Sequence, residues 1–588
     1  NFTVTTLAGL TKVLGRSTSD AGDYAFDEIT LTNVERIQFS DQTVTLDTTS
    51  NTIITGNTSN DTITGTSGND YFDSKGGDDT IDGGAGSDTL LIFATRSNFT
   101  VTTLAGVTKV VGKSTSDAGD YAFDEITLTN VERIQFSDQT VILIVESILV
   151  NTSTNGQQNE AKVAVLNDDT FVVVWKSNHL NANNNHDIIA QRFDRQGQKL
   201  GEEFKVNSCS TVSNYNANHW RPDVSSLEPD GNWNHGFVVT WIGINDCSAQ
   251  GSTKEEVFAQ VYDMSGNVLS DDFGVGLDIP VDQARDAAAR YDPKVTYTHD
   301  AGHAEGIKGS FAITYLKNSP NFNSDGGAEL YHQTFDERAG FRQTLDNKLA
   351  TGEGDNGLIT QGDIASMGQF TMSVVVDDNI IKGYATKHDG TPMGWNEFRF
   401  TRGNHVSNPS VTRLDNVDYL VSFTVKTDAN ATSSMGHVLH CFTTYCNGFS
   451  MEYGTAGYDP MVSNSHLVNS TEGIIDHVRT AKLINNQFIS VFRSNNPTLP
   501  RGENENAVAI YGIKWDYSSS TGGDVSGSDS YLNEYSNSRG TPFEISDFSG
   551  LDMLTPEVAG FSDGGYVVVW VSPAGDGSND AVLMKVFN

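Results

Sequence analysis

Basic residues are scarce in this chain: 37 Lys and Arg stand against 75 Asp and Glu in 588 residues, a formal charge of −38. So acidic a surface excludes nucleic acid as a partner, because phosphate backbones are bound by Lys and Arg. It equally excludes unassisted docking on an anionic membrane. Cysteine is rarer still, with only Cys209, Cys247, Cys441 and Cys446. Four scattered thiols do not make a disulfide scaffold. Cys441 and Cys446 are close enough to pair, Cys209 with Cys247 is the other candidate pair, and buried free thiols are the alternative reading. No run of 18 apolar residues occurs, so the sequence holds no candidate membrane-spanning helix. There is no H-E-x-x-H and no G-x-S-x-G, which removes the zincin and nucleophile-elbow chemistries. The histidines are scattered. His437 and His440 lie three apart on one expected strand and so point to opposite faces, and His299 and His303 flank a solvated Asp-Ala-Gly loop. No catalytic residue emerges. A basic leader is missing too: Asn1 opens inside a strand-like pattern without Met, which reads as a mature product or a piece of a longer chain.

What is present is periodicity. Gly56 to Leu91 reads GNTSNDTIT, GTSGNDYFD, SKGGDDTID, GGAGSDTLL, four units of nine residues. Asp recurs at the sixth position (Asp61, Asp70, Asp79, Asp88) and an apolar residue at the eighth (Ile63, Phe72, Ile81, Leu90). Such a unit makes one Gly-rich turn and one very short strand. Two units complete a coil, so turns 18 residues apart stack, with Asp61 facing Asp79 and Asp70 facing Asp88. Carboxylates stacked in this way repel unless a cation lies among them, and an all-oxygen ligand set suits calcium. A flexible Gly/Asp linker would not hold an apolar residue in register through four units.

These units resemble the RTX (hemolysin-type) calcium-binding parallel β-roll. The G-G-x-G-x-D-x-U-x pattern is matched well at Gly83–Leu91 and more loosely elsewhere, where Ser74 and Lys75 replace the first two glycines. The resemblance implies a Ca2+ site built from Asp61, Asp70, Asp79 and Asp88 with the turn glycines Gly65, Gly68, Gly77, Gly83, Gly84 and Gly86. It also implies the millimolar calcium found outside cells, hence a secreted or cell-surface location.

Residues 1–46 return almost unchanged as 98–143, a period of 97 residues. So recent a duplication suggests an array and not one unique active site, with more such units expected upstream of Asn1. The phrase L-T-N-V-E-R-I-Q-F-S-D resembles the segment that flanks RTX rolls and continues or caps them. The acidic group Asp20, Asp23, Asp27 and Glu28, repeated as Asp117, Asp120, Asp124 and Glu125, reads as a solvated loop, with a further calcium site as the alternative.

From about residue 147 a four-strand phrase recurs seven times with variable inserts. Second strands begin near Val163, Val224, Val295, Ile364, Val411, Val478 and Val558, and third strands include FVVVW from Phe171, FVVTW from Phe237 and YVVVW from Tyr566. Strands so short and apolar bury their faces only against like neighbours, which predicts a seven-bladed β-propeller. The last unit ends after its fourth strand, so Ile148–Asn151 is expected to complete it and close the ring. The phrase P-x-V…D-G-G-Y-V-V-V-W…V-L-M-K-V-F resembles propeller-like repeats of large bacterial surface and secreted proteins. Trp175, Trp241 and Trp570 are expected between blades. Partner contact is expected on the inserts at Asn181–His186, Trp233–His235 and Ser518–Asn533.

The chain is therefore expected to be all-β: a flanking module (1–46), the roll (47–97), a second flanking module (98–146) and the propeller (147–588). The function that fits is a calcium-binding extracellular structural or adhesive protein, non-catalytic, self-associating into a filament, surface layer or stalk. The alternatives are a secreted carbohydrate-binding protein, with a glycan as partner, or a polysaccharide-active or phosphoester hydrolase with its site on the propeller. Asn-x-Ser/Thr sequons, Asn151-Thr-Ser among them, are ordinary for so Asn- and Thr-rich a chain.

Overall fold

Alternating Thr and β-branched residues, broken by Gly, Asn and Asp, favour short strands over helix. Among the described residues of the computed structural model there is no α-helix, only a 3-10 turn at Arg96–Asn98. The chain falls into two units, Asn1–Glu146 and Ser147–Asn588. In the first, the structure describes residues 2–7, 10–15, 28–32, 36–38, 43–45, 53–66, 70–84, 88–104, 107–113, 121–138 and 140–142. In the second it describes 147–180, 185–207, 218–227, 235–244, 255–269, 279–280, 290–298, 311–318, 328–336, 342–343, 347–351, 359–367, 370–377, 380–387, 392–400, 406–414, 418–426, 432–441, 449–450, 466–468, 474–485, 487–495, 508–516, 542–546, 553–573 and 580–587.

The first copy of the duplicated module supplies β1 (Phe2–Leu7), β2 (Leu10–Gly15), β3 (Glu28–Thr32), β4 (Arg36–Gln38) and β5 (Thr43–Thr45). They form an antiparallel sheet β1-β2-β3 and a pair β4-β5. The nonapeptide units supply β6 (Ile53–Thr55), β7 (Thr62–Thr64), β8 (Tyr71–Asp73), β9 (Thr80–Asp82) and β10 (Thr89–Ile92). Strands two units apart pair in parallel: Ile54 and Leu90 both sit beside Phe72, and Ile63 beside Ile81. This is the 18-residue coil, with the eighth-position residues inside: Phe72, Ile81 and Leu90 are fully buried and Ile63 nearly so.

The second copy supplies β11 (Phe99–Leu104), β12 (Val107–Gly112), β13 (Glu125–Thr129), β14 (Arg133–Phe136) and β15 (Thr140–Ile142). It is continuous with the roll. β13 pairs in parallel with β9 and β14 with β10, and only then does pairing turn antiparallel, to β12 and β15. Phe99, Tyr121, Ile126, Leu128, Ile134 and Phe136 share one core with the roll interior.

The second unit is a propeller-like ring of sheets. Six blades are each one continuous stretch of chain, their strands paired in sequence order. The first blade holds β16's neighbour in sequence: after β16 (Ile148–Leu149) come β17 (Gln158–Val165), β18 (Phe171–Ser177), β19 (Asp187–Phe193) and β20 (Lys199–Lys205). The second is β21 (Asn218–Ser226), β22 (His235–Ile244), β23 (Glu255–Asp263) and β24 (Ile279–Pro280). The third is β25 (Arg290–Tyr297), β26 (Phe311–Asn318), β27 (Ala328–Asp336) and β28 (Arg342–Gln343), with β29 (Asn347–Thr351) also on β27. The fourth is β30 (Ile359–Met367), β31 (Phe370–Asp377), β32 (Ile380–Lys387) and β33 (Pro392–Phe400). The fifth is β34 (Val406–Arg413), β35 (Asp418–Lys426), β36 (Thr432–Cys441) and β37 (Phe449–Ser450), with β38 (His466–Val468) also on β36. The sixth is β39 (Ile475–Lys482), β40 (Gln487–Ser494), β41 (Ala509–Asp516) and β42 (Phe543–Glu544).

The remaining sheet is composite. β43 (Leu554–Gly560), β44 (Tyr566–Ser572) and β45 (Ala581–Phe587) take β16 as their outer strand. Ile148 pairs with Met584 and Leu149 with Leu583, Val150 N–H donates to Val582 O (2.9 Å), and Val582 N–H donates to Asn151 Oδ1 (2.9 Å). Asn151 is thus a buried ladder residue and not an open glycosylation acceptor. Across the closure, Asp169 accepts from Ser562 N–H, and Arg195 pairs with Asp563 (2.9 Å) while covering the Phe561 ring. Trp175, Trp241 and Trp570 are fully buried, each in a cluster drawn from two adjacent sheets. Cys209, Cys247, Cys446, His299 and His303 lie outside the described residues, as do Ser518–Asn533 and most of the other two inserts.

Deleting residues 147–151 should leave β45 with an open edge and empty the Val150 pocket. We expect the propeller to lose several kcal/mol of stability, read as a lowered midpoint in thermal or urea unfolding. A midpoint equal to that of the intact chain would refute this closure.

Candidate functional site

Two places concentrate charge: the turns of the roll and the axis of the propeller. In the roll, each sixth-position Asp sits where its strand begins, and its column partner lies one coil away. Asp61 N–H donates to Asp79 Oδ1 (2.9 Å) and Asp70 N–H to Asp88 Oδ1 (2.7 Å). Asp61 Oδ2 accepts Asn57 N–H and Asp70 Oδ2 accepts Thr66 N–H, each at 2.6 Å. Asp70, Asp79 and Asp88 are buried. Asp79 Oδ2 has no hydrogen-bond partner. Burial lifts the Asp79 carboxyl above its ordinary value, and the charges of Asp61 and Asp124 lift it further.

The glycines make room for stacked carbonyls. A Cβ on Gly65 would lie 2.1 Å from Gly83 O, and one on Gly83 1.8 Å from Asn130 O. Gly77 and Gly84 have φ of +112° and +90°, which an L side chain resists. Lys75 takes the same left-handed region at φ 68°, and its ammonium pairs with Asp73 (2.6 Å). Gly68 and Gly86 lie outside the described residues. Among the described residues no group of three or more His, Cys, Asp or Glu is clustered to hold a metal. A cation here would therefore take carboxylate oxygens from the aspartate columns together with main-chain carbonyls, a hard all-oxygen set.

The sequence reading missed the cap's contribution. Glu132 accepts Asp88 N–H, occupying the place that the next coil's Asp would hold. Asp124 Oδ2 accepts Gly77 N–H (2.8 Å), Asn130 Nδ2 donates to Asp82 (2.8 Å), and Glu125 N–H donates to Asp78 (2.8 Å). Part of the acidic loop thus closes roll turns. Asp20, Asp23, Asp27, Asp117 and Asp120 lie outside the described residues. The signal was the Glu and Asn of L-T-N-V-E-R, spaced to meet turns 44 and 48 residues earlier.

At the propeller axis, every inner strand carries a register shift against its neighbour. In five of them a residue of the shift is left-handed: Glu160, Arg221, Asp292, Asn408 and His477, with φ between 51° and 56°. A bulge re-aims the side chain that follows it. Those side chains are Lys162, Asp223, Lys294, Asp363, Ser410, Arg479 and Glu557, and together they line one cavity of about 120 Å³. By register, each lies opposite the third residue after the start of the FVVVW-type phrase. The sixth inner strand therefore aligns through Thr480 and not through Val478.

Around this ring the signs run plus, minus, plus, minus, neutral, plus, minus. An odd ring cannot alternate throughout, and Ser410 stands at the break, between Asp363 and Arg479. Lys162 pairs with Glu557, and Arg479 Nε approaches Glu557 at 3.2 Å. Asp223 accepts Val295 N–H (2.8 Å) and Asp363 accepts Val411 N–H (2.9 Å), both from the next blade. Burial opposes the charge of Glu557, but Lys162 and Arg479 outweigh it and hold the acid below its ordinary value. Burial likewise opposes Lys294, and Asp292, Asp223 and Asp363 hold it above. For Asp223 burial prevails, pushing the carboxyl up to about 6.

Two outcomes follow. Ser410→Lys and Ser410→Glu should each destabilise the propeller by about 2 kcal/mol or more, since either sign repels one neighbour, while Ser410→Ala stays near wild type in urea unfolding. Asp223 has a folded value above its unfolded one, so the native state holds the proton longer and stability falls as pH rises from about 4 through 6. The fall should be at most about 3 kcal/mol, and Asp223→Asn should remove it from a pH series of unfolding curves.

Many solved structures align with the chain, three of them as follows. A protein of unknown function from Dyadobacter fermentans aligns over 75% of this chain and 98% of its own, at 9% identity and a TM-score of 0.35. The NanB sialidase of Streptococcus pneumoniae aligns over 84% of this chain and 82% of its own, at 7% and 0.36. Trypanosoma rangeli sialidase aligns over 73% of this chain and 55% of its own, at 9% and 0.32. No curated protein matches the chain. No helix among the described residues is long and apolar enough to cross a membrane. Residues 55–90 match the RTX calcium-binding nonapeptide repeat in four copies, and the ion that this repeat binds is calcium.

Proposed function

We propose that the protein is an extracellular structural or adhesive protein, non-catalytic, in which calcium stiffens the roll and the propeller supplies contact surface. Calcium would be held by Asp61, Asp70, Asp79 and Asp88 and by carbonyl oxygens of the turns around Gly65, Gly68, Gly77, Gly83, Gly84 and Gly86. The observation that carries this reading is Asp79: a carboxylate buried inside an acidic stack, one oxygen of which makes no hydrogen bond of ordinary geometry, with only the Ser74 hydroxyl near the group, and whose carboxyl is lifted above its ordinary value. A buried carboxylate oxygen without a donor is costly unless an ion meets it. The axial charges of the propeller support the non-catalytic part, because the acids and bases there are engaged with one another and with backbone amides. The duplicated modules support self-association into an array, since near-identical units repeat a contact without closing it.

Full-length protein titrated with calcium should gain β-structure in circular dichroism and lose it in chelator, because binding and folding of the roll are one process. Asp79→Ala should raise the calcium midpoint about tenfold or more. Light scattering of the same samples should rise with calcium. A roll already folded in chelator, or particles that stay monomeric at millimolar calcium with the roll folded, would count against the reading.

A further inference from the structure

The two copies of the duplicated module do not stand in the same surroundings. Residues 28–38 and 125–135 are both EITLTNVERIQ. In the second copy this stretch carries the last coil of the roll on its open edge. Thr127 N–H donates to Asp79 O (2.8 Å), Arg133 N–H to Asp88 O (3.0 Å), and Thr129 O accepts Gly83 N–H (2.9 Å). The other edges of β13 and β14 are taken by β12 and β15. In the first copy β2 and β5 take those same other edges of β3 and β4. Among the described residues nothing pairs with the edges that correspond to the roll-binding ones.

We infer that the open edges of β3 and β4 are a docking site for the last coil of a second calcium-bound nonapeptide roll. This rests on the calcium-roll reading above. The occupant follows from the second copy, where the identical backbone edge receives two consecutive coil strands in parallel, β9 and β10. It is a different roll, because β9 and β10 of this one already carry β13 and β14. The recognition is strand addition to a sheet edge, so main-chain groups provide the affinity and the registered apolar residues the specificity. Thr30 N–H, Thr32 O and Arg36 N–H are the groups equivalent to Thr127 N–H, Thr129 O and Arg133 N–H. By the same alternation, Thr30 N–H points away from β2.

The test uses the full chain and, as probe, a fluorescently labelled peptide of residues 47–97, whose β9 and β10 have no cap and whose own gain of β-structure with calcium is first established by circular dichroism. Fluorescence anisotropy at millimolar calcium should show saturable one-to-one binding. Thr30→Pro and Arg36→Pro each delete one open-edge donor on separate strands and should weaken binding tenfold or more. Thr30→Val keeps the amide and should bind as wild type. Absent binding, or binding that neither proline weakens, would overturn the inference, the latter because the probe would then be displacing the second copy. Circular dichroism of the full chain with and without calcium separates this from failure of the calcium reading, which alone would leave the spectrum unchanged.

Discussion

A β-strand edge with unmet amides and carbonyls must find a partner, and this constraint shapes both units. The propeller has no terminal sheet to leave open, because β16 arrives from the start of the unit and pairs with β45. The roll solves the same problem differently. Its parallel coils could go on adding strands indefinitely, and the flanking module ends them by converting parallel pairing to antiparallel through β13 and β14. Closure and capping are two answers to one requirement.

Charge burial separates the two units. The roll stacks acids on acids, with Asp61, Asp79 and Asp124 adding to one another. Nothing of opposite sign stands in that column, and a cation from solution would balance it. At the propeller axis both signs are already in the chain, one from almost every blade. The ring of Lys162, Asp223, Lys294, Asp363, Arg479 and Glu557 sums to zero, so it can be buried without a guest. The cost of burying ions is met there by neighbours fixed in place, with Asp223 as the site where burial still prevails.

Much of the fold was legible because its elements repeat. Nine-residue spacing placed Asp61, Asp70, Asp79 and Asp88 in columns, and the FVVVW-type strands located the buried third strands of the blades. The strand at Ile148 was legible from what the last unit lacked. The axial ring was not, although it stood in plain view as the x of P-x-V: Asp223, Lys294, Ser410 and Glu557 occupy it. Alternation assigns such a residue to solvent, and the bulge that turns it to the axis leaves only a faint trace, an unusual residue two positions earlier. Arg479 was further hidden because its strand has Val478 where the others have Pro or a small residue, which drew the alignment off by two. Glu132 and Asn130 were missed for another reason. Their partners lie 44 and 48 residues away, a distance set by how many coils the roll contains and not by any local pattern.

The placement of β16 also fixes how a pull would travel. Tension reaching the propeller along the backbone from residue 147 meets β16 before any strand of the first blade. It must part the Ile148–Met584 and Leu149–Leu583 pairs and draw Val150 out of its buried seat. Until then the load passes sideways into β45 and the composite sheet, and so around the ring. The seam that closes the circle is thus the first to bear force, and a tug on the chain would open the propeller there before unravelling a blade.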